Sequence, residues 1–188
     1  MSITSVRPSR VRPSNRRRVL PLVLAAACSA AAALALAPSA QAVTPLIATA
    51  TYDCGTWGHG VATLTAADSG TSKTIKINST AITMPIGASA DPNSITTTLK
   101  LTKTSGGVTS QVQFSGKTNP GMTGPNPITL GPLKLTSGTL AAGDRTDSVV
   151  LATPPSATNW SLQIVASSPT SATVPCVATV NQSAPFVW

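Results

Sequence analysis

Three cysteines, one histidine, five aspartates and three tryptophans are the residues of this 188-residue chain whose chemistry reaches beyond packing. Cys54 and Cys176 stand far apart, and both share strand parity with apolar neighbours: Cys54 with Tyr52, Cys176 with Val174, Ala178 and Val180. In an oxidising compartment such an even pair is expected to form a disulfide. Closing a loop of that length stabilises by about 5 kcal/mol in the chain-entropy model. A metal site is the competing use of Cys54, because Asp53 and His59 are close by. With one histidine and no Cys-x-x-Cys pair, the usual zinc constellation is missing, and no metal or cofactor is expected.

His59 could be assembled with Asp53 or Asp68 and a serine into a hydrolytic triad. No Gly-x-Ser-x-Gly turn accompanies it. Set between Gly58 and Gly60, it reads instead as an exposed turn residue. The chain has no glutamate, so a glycosidase would have to draw its carboxylate pair from aspartates that sit in turn-like contexts. Asp144 and Asp147 could approach calcium but lack EF-hand spacing. No catalytic residue is expected, and the chain reads as non-enzymatic.

The aromatic residues offer a different chemistry. Trp160 is in phase with Leu162 and Ile164 and reads as core. Trp57 follows Cys54-Gly55-Thr56 in a glycine-rich turn. It either covers one end of the fold or stands exposed, where it could stack on a sugar. The tail Ala184-Pro185-Phe186-Val187-Trp188 is apolar to its last residue. It either docks back over an open sheet edge or presents Phe186 and Trp188 to a partner. Trp57, Trp188 and His59 are therefore the candidate ligand contacts.

Residues 1–42 read as a secretory leader. Arg7, Arg10, Arg12, Arg16, Arg17 and Arg18 precede an Ala/Leu-rich run from Val19 to Ala37, and Ala40-Gln41-Ala42 supplies a cleavage motif. Arg16-Arg17 is also compatible with twin-arginine export. A retained helix is disfavoured by Pro21, Pro38 and the cleavage site. Lipidation at Cys28 is disfavoured because the apolar run continues beyond it. No membrane span is expected after cleavage. The precursor's +8 charge then misleads: removing six of the 13 basic residues leaves seven against five acids, a net +2. A nucleic-acid partner is set aside on that ground.

The mature part, residues 43–188, fits one domain. Thr and Val favour strands, and Gly and Pro punctuate too often for long helices. Alternation recurs at Ile75/Ile77, Ile82/Met84/Ile86, Leu99/Leu101, Val112/Phe114 and Trp160/Leu162/Ile164. Between Ile128 and Leu135 the parity switches at Gly131-Pro132, which predicts a bulge. With segments near 45–54, 60–66, 147–152 and 173–180, about nine strands are expected. They predict an all-β antiparallel sandwich, immunoglobulin-like or jelly-roll, with one disulfide. The stretch from Gly116 to Pro127 reads as a crossover loop. Lys76, Lys100 and Lys134 interrupt apolar alternation and should face solvent, either as an anion-binding stripe or as guards against edge pairing.

Tyr52-Asp53-Cys54 soon after the cleavage motif, Val174-Pro175-Cys176 near the end, and the Thr/Val/Pro-rich strands between them make a recognisable layout. In it the chain resembles small exported actinobacterial proteins carrying a β-sandwich domain of unknown function. The resemblance implies no catalytic residues. The expectation is a secreted or envelope-associated structural or interaction module, with cell-wall polysaccharide or another envelope protein as partner.

Overall fold

The structure is a computed structural model and describes residues 42–188. The leader expected over residues 1–42 lies outside the described residues except for Ala42. Twelve strands follow in order: β1 (Ile47–Asp53), β2 (His59–Asp68), β3 (Lys73–Thr83), β4 (Ser89–Ala90), β5 (Ile95–Ser105), β6 (Val108–Gly116), β7 (Met122–Thr123), β8 (Pro127–Ser137), β9 (Arg145–Ser148), β10 (Leu162–Ala166), β11 (Ala172–Ala178) and β12 (Phe186–Val187). A single 3-10 turn, Gly55–Trp57, joins β1 to β2.

The all-β antiparallel reading holds, but the sandwich does not. Eight strands close into a ring in the order β1-β2-β3-β8-β6-β5-β10-β11, and β11 returns to β1. Closure depends on β5. One edge pairs with β6 along its length. The other edge forks: residues 95–99 pair with β10, and residues 101–104 pair with β9. The first branch completes the barrel, and the second carries the β9–β12 ribbon. Two facing sheets would leave strand edges open, whereas a closed ring removes them. Strands β4 and β7 form a small separate pair.

Period two puts alternate side chains inside. Leu64, Ile75, Ile77, Leu99, Leu101, Phe114, Ile128, Leu130, Leu162 and Ile164 are fully buried. The predicted bulge is present. Ile75 faces Leu133 and Ile77 faces Leu130, so Gly131 and Pro132 together oppose Lys76. Gly131 has φ 93°, a left-handed conformation that favours glycine. The segment expected at Ile82, Met84 and Ile86 differs from the alternation. Ile82 and Met84 are buried, but Ile86 sits in a turn and is 88% exposed.

The crossover from Gly116 to Pro127 is pinned from within. Buried Asn119 accepts from the Ile95 amide at 2.8 Å and donates to the Asp91 and Pro120 carbonyls at 2.8 and 2.7 Å.

Cys54 and Cys176 form the expected disulfide, both buried. It joins the residue just after β1 to β11, where the ladder between those strands is only two pairs long, Tyr52 to Ala178 and Asp53 to Val177. The bond therefore reinforces the shortest seam of the ring. The tail docks. Phe186 pairs with Thr146, and Val187 pairs with Arg145 and bridges to Thr44.

Candidate functional site

The conspicuous residues resolve first. After Cys54 the chain turns tightly. The Trp57 amide donates to the Cys54 carbonyl, and the Cys54 amide donates to the Gly58 carbonyl at 2.9 Å. That reversal folds Trp57 into the core, 6% exposed. Trp188 is 2% exposed, stacked on Phe114 with ring centroids 5.5 Å apart, and its indole N–H donates to the Thr146 hydroxyl at 2.9 Å. Neither indole is an exposed sugar platform, which corrects that expectation. The glycine-rich turn closes on the disulfide, and the last residue seals the barrel interior instead of leaving it.

Trp160 lies just outside β10 and is half-buried. The Lys100 ammonium covers its ring at 3.4 Å from the centroid, and the same nitrogen donates to the Trp160 carbonyl at 3.3 Å. Lys100 is thus held against an indole, not free in solvent, and burial lowers its pKa. Lys76 and Lys134 are exposed as expected.

His59 is exposed, and the β1–β2 register sets it opposite Asp53. Asp53 Oδ1 accepts from the Gly55 amide at 2.9 Å, the ordinary work of a turn aspartate. The register brings the two together, but no hydrogen-bonded nucleophile, base and acid assemble around His59 among the described residues. Among those residues no three His, Cys, Asp or Glu side chains gather as metal ligands. Asp144 and Asp147 are occupied separately. Asp144 accepts from the Ala141 amide at 2.8 Å and pairs with Lys103 at 3.0 Å. Burial alone would raise its carboxyl, but these partners and the Ser105 hydroxyl hold it down at about 2. Asp147 Oδ1 accepts from the Ser148 and Gln182 amides.

Not every buried polar group is paired. The hydroxyls of Tyr52 and Ser148 and both amide atoms of Gln182 are buried without a hydrogen-bond partner among the described residues. Burial pushes the Tyr52 phenol up to about 12, the neighbouring Ser148 hydroxyl opposing and the Asp147 charge adding to the rise. The phenol stays protonated at any physiological pH.

The outer face of β1–β2–β3–β8 is different. Register aligns Thr49 with Thr63, Thr63 with Asn78, and Asn78 with Thr129, a polar row across four strands. Between Ser79 and Thr83, β3 gains extra residues against Ile128 and Pro127. Buried Ser79 pins this bulge. Its hydroxyl donates to the Val61 carbonyl at 2.7 Å and accepts from the Ala81 and Ile82 amides at 3.2 and 3.0 Å.

Ala81 then settles onto β2. A Cβ built on Gly60 would lie 2.3 Å from the Ala81 Cβ, and one built on Gly58 would lie 2.7 Å from the Ala81 oxygen. The Gly58-His59-Gly60 stretch is therefore a seat for the β3 bulge. Beside the bulge is a groove of about 350 Å³ lined by Val61, Thr63, Asn78, Thr80, Pro127 and Thr129, with Ser79 and Ile128 behind them. None of these side chains is charged.

A second groove, about 530 Å³, lies near Lys73 and Lys134. Lys73 is already ion-paired to Asp68 and sits 5.4 Å from the Trp188 ring centroid. Burial would raise the Asp68 carboxyl, but Lys73 and the Gly70 amide lower it below the usual aspartate value.

Thr63, Asn78, Thr80 and Thr129 were not singled out in the sequence. Threonine is the ordinary residue of a wet strand face, and only register shows which threonines align.

Among the described residues no helix is long and apolar enough to cross a membrane. The barrel's own wall carries its apolar side chains inward and Thr, Asn and Lys outward, the reverse of a lipid-facing barrel. No family model matches the chain, and neither a curated protein nor a solved structure matches it.

Proposed function

We propose that the chain is an exported, non-enzymatic β-barrel module that acts outside the cytoplasm by binding a partner or contributing to the cell envelope. The observation that carries this reading is the buried Cys54–Cys176 bond across the shortest seam of the ring. A structural disulfide of this kind persists in oxidising compartments. The layout's resemblance to small exported actinobacterial proteins and the arginine-rich leader point the same way. A protein held by a closed barrel and an internal crosslink is suited to a harsh exterior. Its outer face remains available for contact.

Cell-wall polysaccharide is favoured among partners by the uncharged, hydroxyl-rich groove on that face. The site of contact moves there from Trp57 and Trp188, which are buried.

Expression with the native leader in an actinobacterial host tests the reading. The mature chain should begin at Val43, appear in the medium or wall fraction, and resist thiol alkylation until reduced. Full-length protein retained in the cytosol, with Cys54 open to alkylation, would contradict it.

A further inference from the structure

We infer that the groove beside the β3 bulge is a binding subsite for a neutral oligosaccharide lying across strands β2, β3 and β8. This deepens the proposed function and rests on the reading of the chain as an extracellular binding module.

Four features of the groove converge on that ligand. Its lining is uncharged, so a charged polymer gains no ion pair there. The main chain of Thr63, Asn78 and Thr129 is already paired in the β2–β3 and β3–β8 ladders, so an extended peptide cannot add as a further strand between them. Its polar groups are hydroxyls and a carboxamide. Thr63, Thr80 and Thr129 each donate and accept, and Asn78 offers two donors and an acceptor. A polyol carries the complementary set. Val61, 52% exposed, and Pro127 add apolar surface for the C–H face of a sugar ring.

Size and rigidity agree. The groove's 350 Å³ falls at the lower end of the roughly 300–1,000 Å³ of small-molecule sites. The row from Thr63 to Thr129 crosses two strand gaps, ~10 Å in all, longer than one sugar ring. The wall is fixed in advance. Ser79 holds the bulge by three hydrogen bonds, and Ala81 is locked over Gly58 and Gly60. A site ordered before binding loses less entropy on binding. Bulges commonly re-aim side chains beside functional sites.

Calorimetry of the mature, oxidised protein against cellohexaose, maltohexaose and mannohexaose, with hexagalacturonate as the charged control, tests the assignment. At least one neutral hexasaccharide should bind in the millimolar range or tighter, and hexagalacturonate should bind no better. Thr63→Ala with Asn78→Ala should weaken that binding tenfold or more, while Thr65→Ala, outward on β2 but outside the groove, leaves it unchanged. Thermal unfolding of each variant separates lost binding from lost fold. Thr129→Lys supplies a second probe from another strand, because a cation in the groove should also weaken the neutral ligand.

No binding of any neutral hexasaccharide at 10 mM would overturn the subsite. Binding indifferent to all groove variants, or confined to hexagalacturonate, would overturn it equally. If the protein is nonetheless processed and oxidised outside the cell, the exported-module reading stands without the groove.

Discussion

The disulfide seam between β1 and β11 and the outer face of β2, β3 and β8 use their side chains in contrasting ways. At the seam, Cys54 and Cys176 are bonded to each other and Trp57 is folded under its turn; elsewhere in the core, Trp188 is stacked on Phe114 of β6 and hydrogen-bonded to Thr146 of β9. These conspicuous residues are buried within the protein, although the Tyr52 hydroxyl of the same seam has no hydrogen-bond partner among the described residues. On the outer face of β2, β3 and β8 the residues are ordinary, yet Thr63, Asn78 and Thr129 stand in register with their polar ends toward solvent. Rare side chains are therefore poor guides to function in this fold. They occur where a small barrel needs reinforcement, and the common polar ones form the face for which we propose a ligand.

Four tests sharpen that contrast, in order of expected size. Replacing Cys54 and Cys176 together by alanine should cost about 5 kcal/mol, read from the urea midpoint, because the bond closes a loop with a sequence separation of 122. A loss below about 1 kcal/mol would mean that the seam does not depend on the bond. Trp188→Ala should cost about 3–5 kcal/mol by opening a cavity beside Phe114 and leaving the Thr146 hydroxyl without its indole donor. Its unfolding midpoint should fall while the groove stays intact.

Gly60→Ala should cost about 1–3 kcal/mol, since the new methyl meets Ala81 at 2.3 Å. Pairing it with Ala81→Gly should recover much of the loss in a double-mutant cycle. Strict additivity of the two would show that the bulge does not rest on that glycine.

The smallest effect concerns pH. The Asp144 carboxyl is depressed to about 2 in the folded protein, against about 3.9 in an unfolded chain. Its contribution to stability is complete above about pH 4 and is lost as the pH falls towards 2. Lys103→Ala removes its ion-pair partner and should flatten that part of the stability profile, at a cost of about 1 kcal/mol near neutrality. An unchanged acid limb would remove Asp144 from the account.

Much of the scaffold was legible beforehand because parity is a local property. Ile75, Ile77, Leu99, Leu101, Val112 and Phe114 announce one buried face each, and Gly131-Pro132 marks the bulge where the alternation changes phase. The disulfide followed from two cysteines of matching parity. Closure was not legible, because a strand with one wet face looks the same in a sandwich and in a barrel. The decisive feature is the fork of β5 between β10 and β9, a long-range pairing that no local pattern encodes.

Trp57 shows a related limit, because its sequence context leaves open whether it covers one end of the fold or stands exposed. A glycine-rich turn favours exposure, yet the hydrogen bonds of residues 54–58 reverse the chain and bury the indole. The same logic hid the groove. Gly58 and Gly60 look like turn residues around a histidine, but their lack of side chains serves Ala81, about twenty residues away. The aligned Thr/Asn row exists only once β1, β2, β3 and β8 are in register.

Amide and indole chemical shifts of the labelled mature protein, followed while a neutral hexasaccharide is titrated in, compare the two regions in one measurement. The account predicts shifts at Val61, Thr63, Asn78, Thr80 and Thr129, with the Trp57 and Trp188 indole signals unmoved. Movement of those indoles while the groove amides stay still would contradict it.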